Sequence, residues 1–139
     1  MKIIAEKENK AISKQIEKST IHSKISLCGP LELVQVAKEL QQADALVMLS
    51  NYETFSCVIA ESWSCGVPVI STPVGIAKNM KEDFGMLVEK AKSELLVESL
   101  TTFLHNKKEY DKEKIRAFAT QFSTENVLKS FEEFYKKMS

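Results

Sequence analysis

Short apolar runs alternate with helical patterns along the first two thirds of the chain. The apolar runs predict strands at Lys2–Ala5, Lys24–Cys28, Ala45–Leu49, Pro68–Ser71 and Gly85–Val88. The stretches with helical spacing predict helices at Asn9–Lys18, Leu31–Gln42 and Phe55–Cys65. Strands that alternate with helices and are almost wholly apolar are typical of a parallel sheet that is buried on both faces. We therefore predict an α/β fold, a Rossmann-like parallel sheet with helices on both faces.

The pattern becomes purely helical from Ser93 onward. Apolar residues at helical spacing predict one helix from Leu95 to Leu104 and another from Ile115 to Phe122. The last helix, Val127–Met138, carries an apolar stripe opposite charged residues, and Ser123 or Thr124 can cap its start. We predict an all-helical C-terminal tail. Because no linker or repeat divides the chain, we also predict a single domain over residues 1–139.

Composition excludes several classes of partner. The chain has 139 residues, with 19 basic and 19 acidic side chains that cancel. No charged patch typical of a nucleic-acid binder is evident, so we expect no nucleic-acid partner. The apolar runs are far shorter than the ~20 residues of a membrane span, and the first residues lack a signal-peptide core, so we expect a cytoplasmic protein with no transmembrane segment. Cys28, Cys57 and Cys65 lie among apolar residues without metal-ligand spacing, which predicts reduced thiols in the core.

Residues 50–75 contain the candidate chemistry. In an open parallel sheet ligands bind outside the carboxyl ends of the strands, and this segment starts at one such end. Glu53 should lie at or just before a helix start and Glu61 about two turns further on, so eight helical positions would separate them by ~12 Å. Carboxylates accept hydrogen bonds from hydroxyls, while the free N–H groups and positive dipole of a helix start favour a diphosphate. The spacing suits a nucleotide sugar.

Each of these residues also has a purely structural interpretation. The two glutamates could be a capping carboxylate and an exposed helical side chain, and Ser50 and Thr54 could be turn residues rather than hydroxyl ligands. Phe55 and Trp63 could be core aromatics or stacking platforms for a base. Because Glu61 lies among apolar residues, it should have a partner, either in the protein or in a ligand. No side chains have metal-ligand spacing, so we expect no metal and no other cofactor.

The run from Ala43 to Gly75 resembles the donor-site motif of the retaining glycosyltransferases of family four, also called glycosyl transferases group 1. The resemblance rests on Ala43-Asp44, on Tyr52-Glu53-Thr54-Phe55, on Glu61 after seven intervening residues, and on the sequence Gly66-Val67-Pro68-Val69-Ile70. The Gly85–Val88 turn and the helical tail are also similar, so the likeness covers most of the chain. It implies the C-terminal, donor-binding half of a GT-B fold. It further implies a UDP- or GDP-sugar as donor and a glycan or lipid-linked acceptor in surface polysaccharide biosynthesis.

The resemblance also implies roles for individual residues. Glu53, the candidate catalytic residue, would face the hydroxyls of the donor sugar, and Glu61 would hold the ribose hydroxyls. The other implied donor-binding residues are Ser50, Thr54, Phe55, Ser56, Gly29 and Pro30, the last two bordering the base. The sugar would keep its anomeric configuration, while the protein positions the donor and stabilises the departing diphosphate.

The chain also departs from the family pattern. Ser56 and Ile76 replace two usual glycines, and Glu6–Asn9 stands where a Gly-rich turn is usual. A preceding strand with a Gly-Arg…Lys segment and an N-terminal acceptor domain are expected outside these 139 residues, so the isolated chain should be inactive. Lys78 is the nearest cation, either solvated or in contact with a phosphate. The alternative function is a non-catalytic binding or assembly module that retains the fold.

Overall fold

Five strands in the described part of the chain form parallel sheets. A computed structural model describes residues 1–4, 10–89, 92–105 and 109–138. The strands are β1 (Lys2–Ile4), β2 (Ser26–Cys28), β3 (Leu46–Met48), β4 (Val69–Ser71) and β5 (Gly85–Leu87). β1 pairs with β2, and β4 pairs with both β3 and β5, always in parallel. The predicted α/β fold is confirmed, although the hydrogen bonds divide the strands into one two-stranded and one three-stranded sheet.

The chain folds into two compact units, Met1–Val36 and Ala37–Ser139. The first contains β1, helix α1 (Lys10–Lys18), a 3-10 turn at His22–Lys24 and β2. Helix α2 (Leu33–Gln41) begins in the first unit and ends in the second. The predicted end of the first strand at Ala5 and the Glu6–Asn9 turn lie outside the described residues. The single domain over residues 1–139 stays a prediction.

An aromatic cluster forms the core of the second unit. Helix α3 (Cys57–Ser64) packs against helix α5 (Lys112–Ala119), and Trp63 of α3 is fully buried. The Trp63 indole donates a hydrogen bond to the Phe84 carbonyl at 3.0 Å. The Phe118 ring stacks on Phe84 with centroids 3.9 Å apart and meets the Trp63 ring edge-on at 5.2 Å. The core interpretation of Trp63 is therefore confirmed.

The turn after α3 sets the direction of β4. Gly66 has a left-handed φ of +75° and donates its N–H to the Trp63 carbonyl at 2.9 Å. The Val67 N–H reaches the Ser62 carbonyl at 3.0 Å, which completes a Schellman motif. Val67 and Pro68 are buried and lead directly into β4. Two 3-10 turns, Gly75–Asn79 and Glu82–Phe84, then connect β4 to β5.

The helical tail agrees with the sequence pattern. It consists of α4 (Ser93–His105), α5 with a 3-10 turn at Thr120–Phe122, and α6 (Thr124–Met138). The Ser123 hydroxyl accepts the Asn126 N–H at 3.3 Å, so Ser123 caps α6 as predicted. No helix among the described residues is long and apolar enough to cross a membrane.

The prediction for the cysteines is wrong for Cys57. Cys57 is exposed, while Cys28 and Cys65 are half-buried, and all three are free thiols. Cys57 opens the first turn of α3, whereas the buried side chains of that helix are Ile59, Ser62 and Trp63. An apolar neighbourhood in sequence therefore did not predict burial at the helix end.

Candidate functional site

Helix α3 starts two residues later than the apolar pattern predicts. Ser56 has φ +74° and ψ +76°, a left-handed conformation that does not continue an α-helix towards Phe55. Residues 53–56 are therefore not helical, so the eight helical steps on which the ~12 Å estimate between Glu53 and Glu61 was based are not present. Only the four steps from Cys57 to Glu61 are helical, with a rise of about 6 Å.

The start of α3 has no side-chain cap. The Ser56 hydroxyl instead donates to the Met48 sulfur at 3.3 Å, and the Ile59 N–H donates to the Ser56 carbonyl at 3.1 Å. The N–H groups of Cys57 and Val58 have no hydrogen-bond partner among the described residues. Free N–H groups at the positive end of a helix dipole favour an anion.

Glu53 is held from one side by Ser50. The Ser50 hydroxyl donates to Glu53 Oε1 at 2.8 Å, and both side chains are partly buried. Ser50 thus lies three positions before the carboxylate that its hydroxyl contacts. Among the described residues no donor contacts Glu53 Oε2, so one carboxylate oxygen remains for a ligand.

Glu61 is half-buried on α3. Within the described part of the chain its carboxylate accepts no hydrogen bond, so the expected partner is not found in these residues. Glu61 also affects the Cys65 thiol one turn further along the helix. Burial is the largest effect and raises the pKa of this thiol, the Arg116 charge lowers the pKa, and Glu61 raises it. Contact between Glu61 and a ribose remains a prediction.

The loop after β4 closes against the segment that contains Glu53. The Ile76 N–H donates to the Phe55 carbonyl at 3.0 Å. Gly75 has φ +50°, and a Cβ there would lie 2.5 Å from the Phe55 carbonyl oxygen, so only glycine fits without displacing the loop. The Phe55 ring is 40% exposed with its edge against Phe122 at 5.7 Å. Phe55 therefore lies at the surface rather than in the core.

A cavity of about 420 Å³ lies at the carboxyl ends of the three-stranded sheet. Residues that follow β3, β4 and β5 contribute to its lining, among them Ser50, Asn51, Thr72, Val74, Glu89 and Lys92. This volume is in the range of small-ligand sites, and the location is the usual one in open α/β sheets. Lys92 was not predicted, whereas Lys78 is exposed on the 3-10 turn and is not among the lining residues. The signal that could have indicated Lys92 is its position just after the last strand.

The remaining predicted residues are accessible. Thr54 is exposed between Glu53 and Phe55. Gly29 and Pro30 are exposed directly after β2 in the first unit, and their contact with a base stays a prediction. No group of three or more His, Cys, Asp or Glu side chains in the described ranges could hold a metal ion.

Comparison with known proteins places this sheet and its loops in a family. Residues 3–120 match the profile described as Glycosyl transferases group 1. The chain belongs to this family. An uncharacterized glycosyltransferase from Methanocaldococcus jannaschii, MJ1178, is 30% identical over 122 residues, which cover 84% of this chain and 34% of that protein. The chain thus spans about a third of the length of that relative.

Solved structures show the same architecture. The crystal structure of a GtfA/B complex superposes with a TM-score of 0.80 at 16% identity, over 98% of this chain and 29% of that one. The pneumococcal O-GlcNAc transferase GtfA, solved in complex with UDP and GlcNAc, gives 0.75 at 18% identity with the same coverages. At these identities the likeness concerns the fold, which is that of GT-B glycosyltransferases.

Proposed function

We propose that the chain is the donor-binding domain of a retaining glycosyltransferase of family four. The whole enzyme would transfer a sugar from a nucleotide sugar to a glycan or glycoconjugate acceptor in surface polysaccharide biosynthesis. The observation that carries the proposal is the uncapped start of α3 with one available carboxylate on each side, Glu53 before it and Glu61 within it. A carboxylate, free N–H groups and a second carboxylate follow one another here, which matches a ligand made of a sugar, a diphosphate and a ribose.

Each part of the site has a task in this mechanism. The N–H groups of Cys57 and Val58 bind the diphosphate and stabilise its charge as it leaves. Glu53 Oε2 accepts a hydrogen bond from a hydroxyl of the donor sugar, while Ser50 holds Oε1. Glu61 accepts hydrogen bonds from the ribose hydroxyls. The protein thereby orients the anomeric carbon, and the acceptor attacks on the face from which the diphosphate departs.

The test is calorimetric titration of the chain with UDP, GDP, UDP-glucose, UDP-N-acetylglucosamine and GDP-mannose. UDP is the first ligand to try, because one structural neighbour was solved with it. We expect Glu61→Gln to weaken binding of the preferred nucleoside diphosphate about tenfold, since hydrogen bonds to a charged group are lost. Glu98→Gln on α4 is the matched control: it removes the same charge from an exposed helical position and should leave the affinity unchanged.

Failure of every nucleotide to bind would contradict the proposal. It would favour the alternative, a non-catalytic binding or assembly module with the same fold. One observation supports that alternative: the Ile76 N–H is already bonded to the Phe55 carbonyl and so is not available to a phosphate. Equal weakening by Glu61→Gln and Glu98→Gln would count against a specific role for Glu61.

A further inference from the structure

Thr72 joins β3 and β4 at the point where the two strands stop pairing. The last paired residues are Met48 and Ser71, and Thr72 follows with only 3% of its surface exposed. The Thr72 hydroxyl accepts the Ser50 N–H at 3.1 Å and donates to the Ser50 carbonyl at 2.6 Å. One side chain therefore satisfies both main-chain groups of Ser50 after the sheet has ended.

The contact continues from Ser50 to the candidate catalytic carboxylate. The Ser50 hydroxyl donates to Glu53 Oε1 at 2.8 Å. Thr72 thus fixes the main chain of the residue whose side chain fixes Glu53, across a sequence separation of 22 residues. No other hydrogen bond among the described residues reaches the Glu53 carboxylate.

The chemistry of threonine suits this task. Its branched Cβ restricts χ1, so the direction of the hydroxyl is well defined. Valine would have almost the same shape but would leave the Ser50 N–H and carbonyl without their partner. The hydroxyl, rather than the volume of the side chain, is what holds the turn.

We propose that Thr72 is a positioning residue that aims the Glu53 carboxylate at the donor sugar, an inference that rests on the proposed function. Thr72 also lines the cavity at this end of the sheet, but its hydroxyl is already bonded to both main-chain groups of Ser50, so its task here is to position Ser50 and not to bind the donor. Its removal should affect recognition of the sugar, which Glu53 contacts, and spare the nucleoside diphosphate, which α3 and Glu61 contact.

The first measurement is the affinity of three variants for two ligands. The ligands are UDP or GDP, whichever binds, and the nucleotide sugar of the panel above that the unaltered chain binds most tightly. We expect Thr72→Val to weaken binding of the nucleotide sugar about tenfold and to leave binding of the nucleoside diphosphate almost unchanged. Thr72→Ser keeps the hydroxyl and should have the affinities of the unaltered chain for both ligands. Ser71→Ala is the matched control, because Ser71 is also buried and, within the described ranges, its hydroxyl donates to the Thr72 carbonyl alone, at 2.9 Å.

The second measurement needs no ligand. In NMR experiments on the free chain, Thr72→Val should speed amide exchange at Ser50 and lower the side-chain order parameter of Glu53, while Thr72→Ser and Ser71→Ala leave both unchanged. An unchanged side-chain order parameter at Glu53 in Thr72→Val would overturn the inference. Equal losses of affinity for the nucleotide sugar and for the nucleoside diphosphate would also overturn it. If the unaltered chain binds no nucleotide, the proposed function fails. The NMR result then still decides whether Thr72 orders the carboxylate.

Discussion

Ser56 determines where α3 begins. Its left-handed φ of +74° separates the helix from the turn that carries Glu53, and its hydroxyl contacts Met48 instead of capping the helix. A non-glycine residue in this conformation costs roughly 1–2 kcal/mol, because Cβ approaches the following carbonyl. In the part of the chain that the structure describes, the N–H groups of Cys57 and Val58 have no partner, partly because the Ser56 hydroxyl points to Met48 instead.

We therefore expect Ser56→Gly to be more stable than Ser56→Ala by about 1 kcal/mol. Both variants lack the hydroxyl, so the difference between them isolates the backbone conformation. The order is opposite to that at ordinary helical positions, where alanine is better than glycine. The difference in stability between the two variants is measured as the free energy of unfolding in urea. An alanine variant as stable as the glycine variant would show that position 56 is unstrained in solution.

The motif residues were predictable at this scale, but their contacts were not. The hydrogen bond from the Ser50 hydroxyl to Glu53 was not predicted, although the two residues are only three positions apart. The conformation of Ser56 leaves no trace in the apolar pattern, since Phe55, Val58 and Ile59 keep helical spacing across that position. The prediction that helix α3 starts at Phe55 was wrong for that reason.

At the scale of elements, the apolar runs predict strand centres better than strand ends. The predicted strand at Ala45–Leu49 is observed at Leu46–Met48, because its pairing with β4 stops at Ser71. The 3-10 turns at Gly75–Asn79 and Glu82–Phe84 were not predicted, since segments this short show no periodicity. The first of these turns nevertheless brings Gly75 and Ile76 to the site.

The cap of α5 provides a test at this scale. The Asp111 carboxylate accepts the N–H groups of Glu113 and Lys114, both at 3.0 Å, and α5 inserts Ile115 into the core. We expect Asp111→Ala to lower the free energy of unfolding by about 1 kcal/mol and Asp111→Asn to retain most of it. Asp44→Ala, which removes an exposed aspartate outside any helix, is the control for charge. Equal losses in chemical denaturation of the two alanine variants would contradict a capping role.

For the whole molecule, the sequence predicts the class of fold but not which loops meet. The alternation of strands and helices predicts parallel pairing, and the helical pattern from Ser93 onward predicts the helical tail. Both features are present. The contacts that assemble the site join Ser50 to Thr72 and Phe55 to Ile76, more than twenty residues apart. Such long-range pairs depend on strand order and register, which one sequence does not specify. The division of the chain into two units was likewise not predicted.

The last two helices of the tail, α5 and α6, contribute differently to the second unit. Ile115 and Ala119 of α5 belong to the buried cluster around Trp63, whereas α6 has no buried residue and exposes Phe131, Phe134 and Met138. We therefore expect the chain without residues 123–139 to unfold cooperatively with nearly unchanged stability, since little apolar surface is lost from the core. The chain without residues 111–139 should lose cooperative unfolding, because the fully buried Trp63 would lose its covering rings.

Urea denaturation followed by Trp63 fluorescence distinguishes the two deletions, since this is the one tryptophan of the chain. The shorter deletion should keep both the midpoint and the slope of the transition, because the slope follows the surface exposed on unfolding. The longer deletion should show exposed-tryptophan emission without denaturant. A large loss of stability from the shorter deletion would mean that α6 contributes to the core through contacts beyond its cap at Ser123. In that case the exposed apolar side chains of α6 would contribute to the stability of this unit.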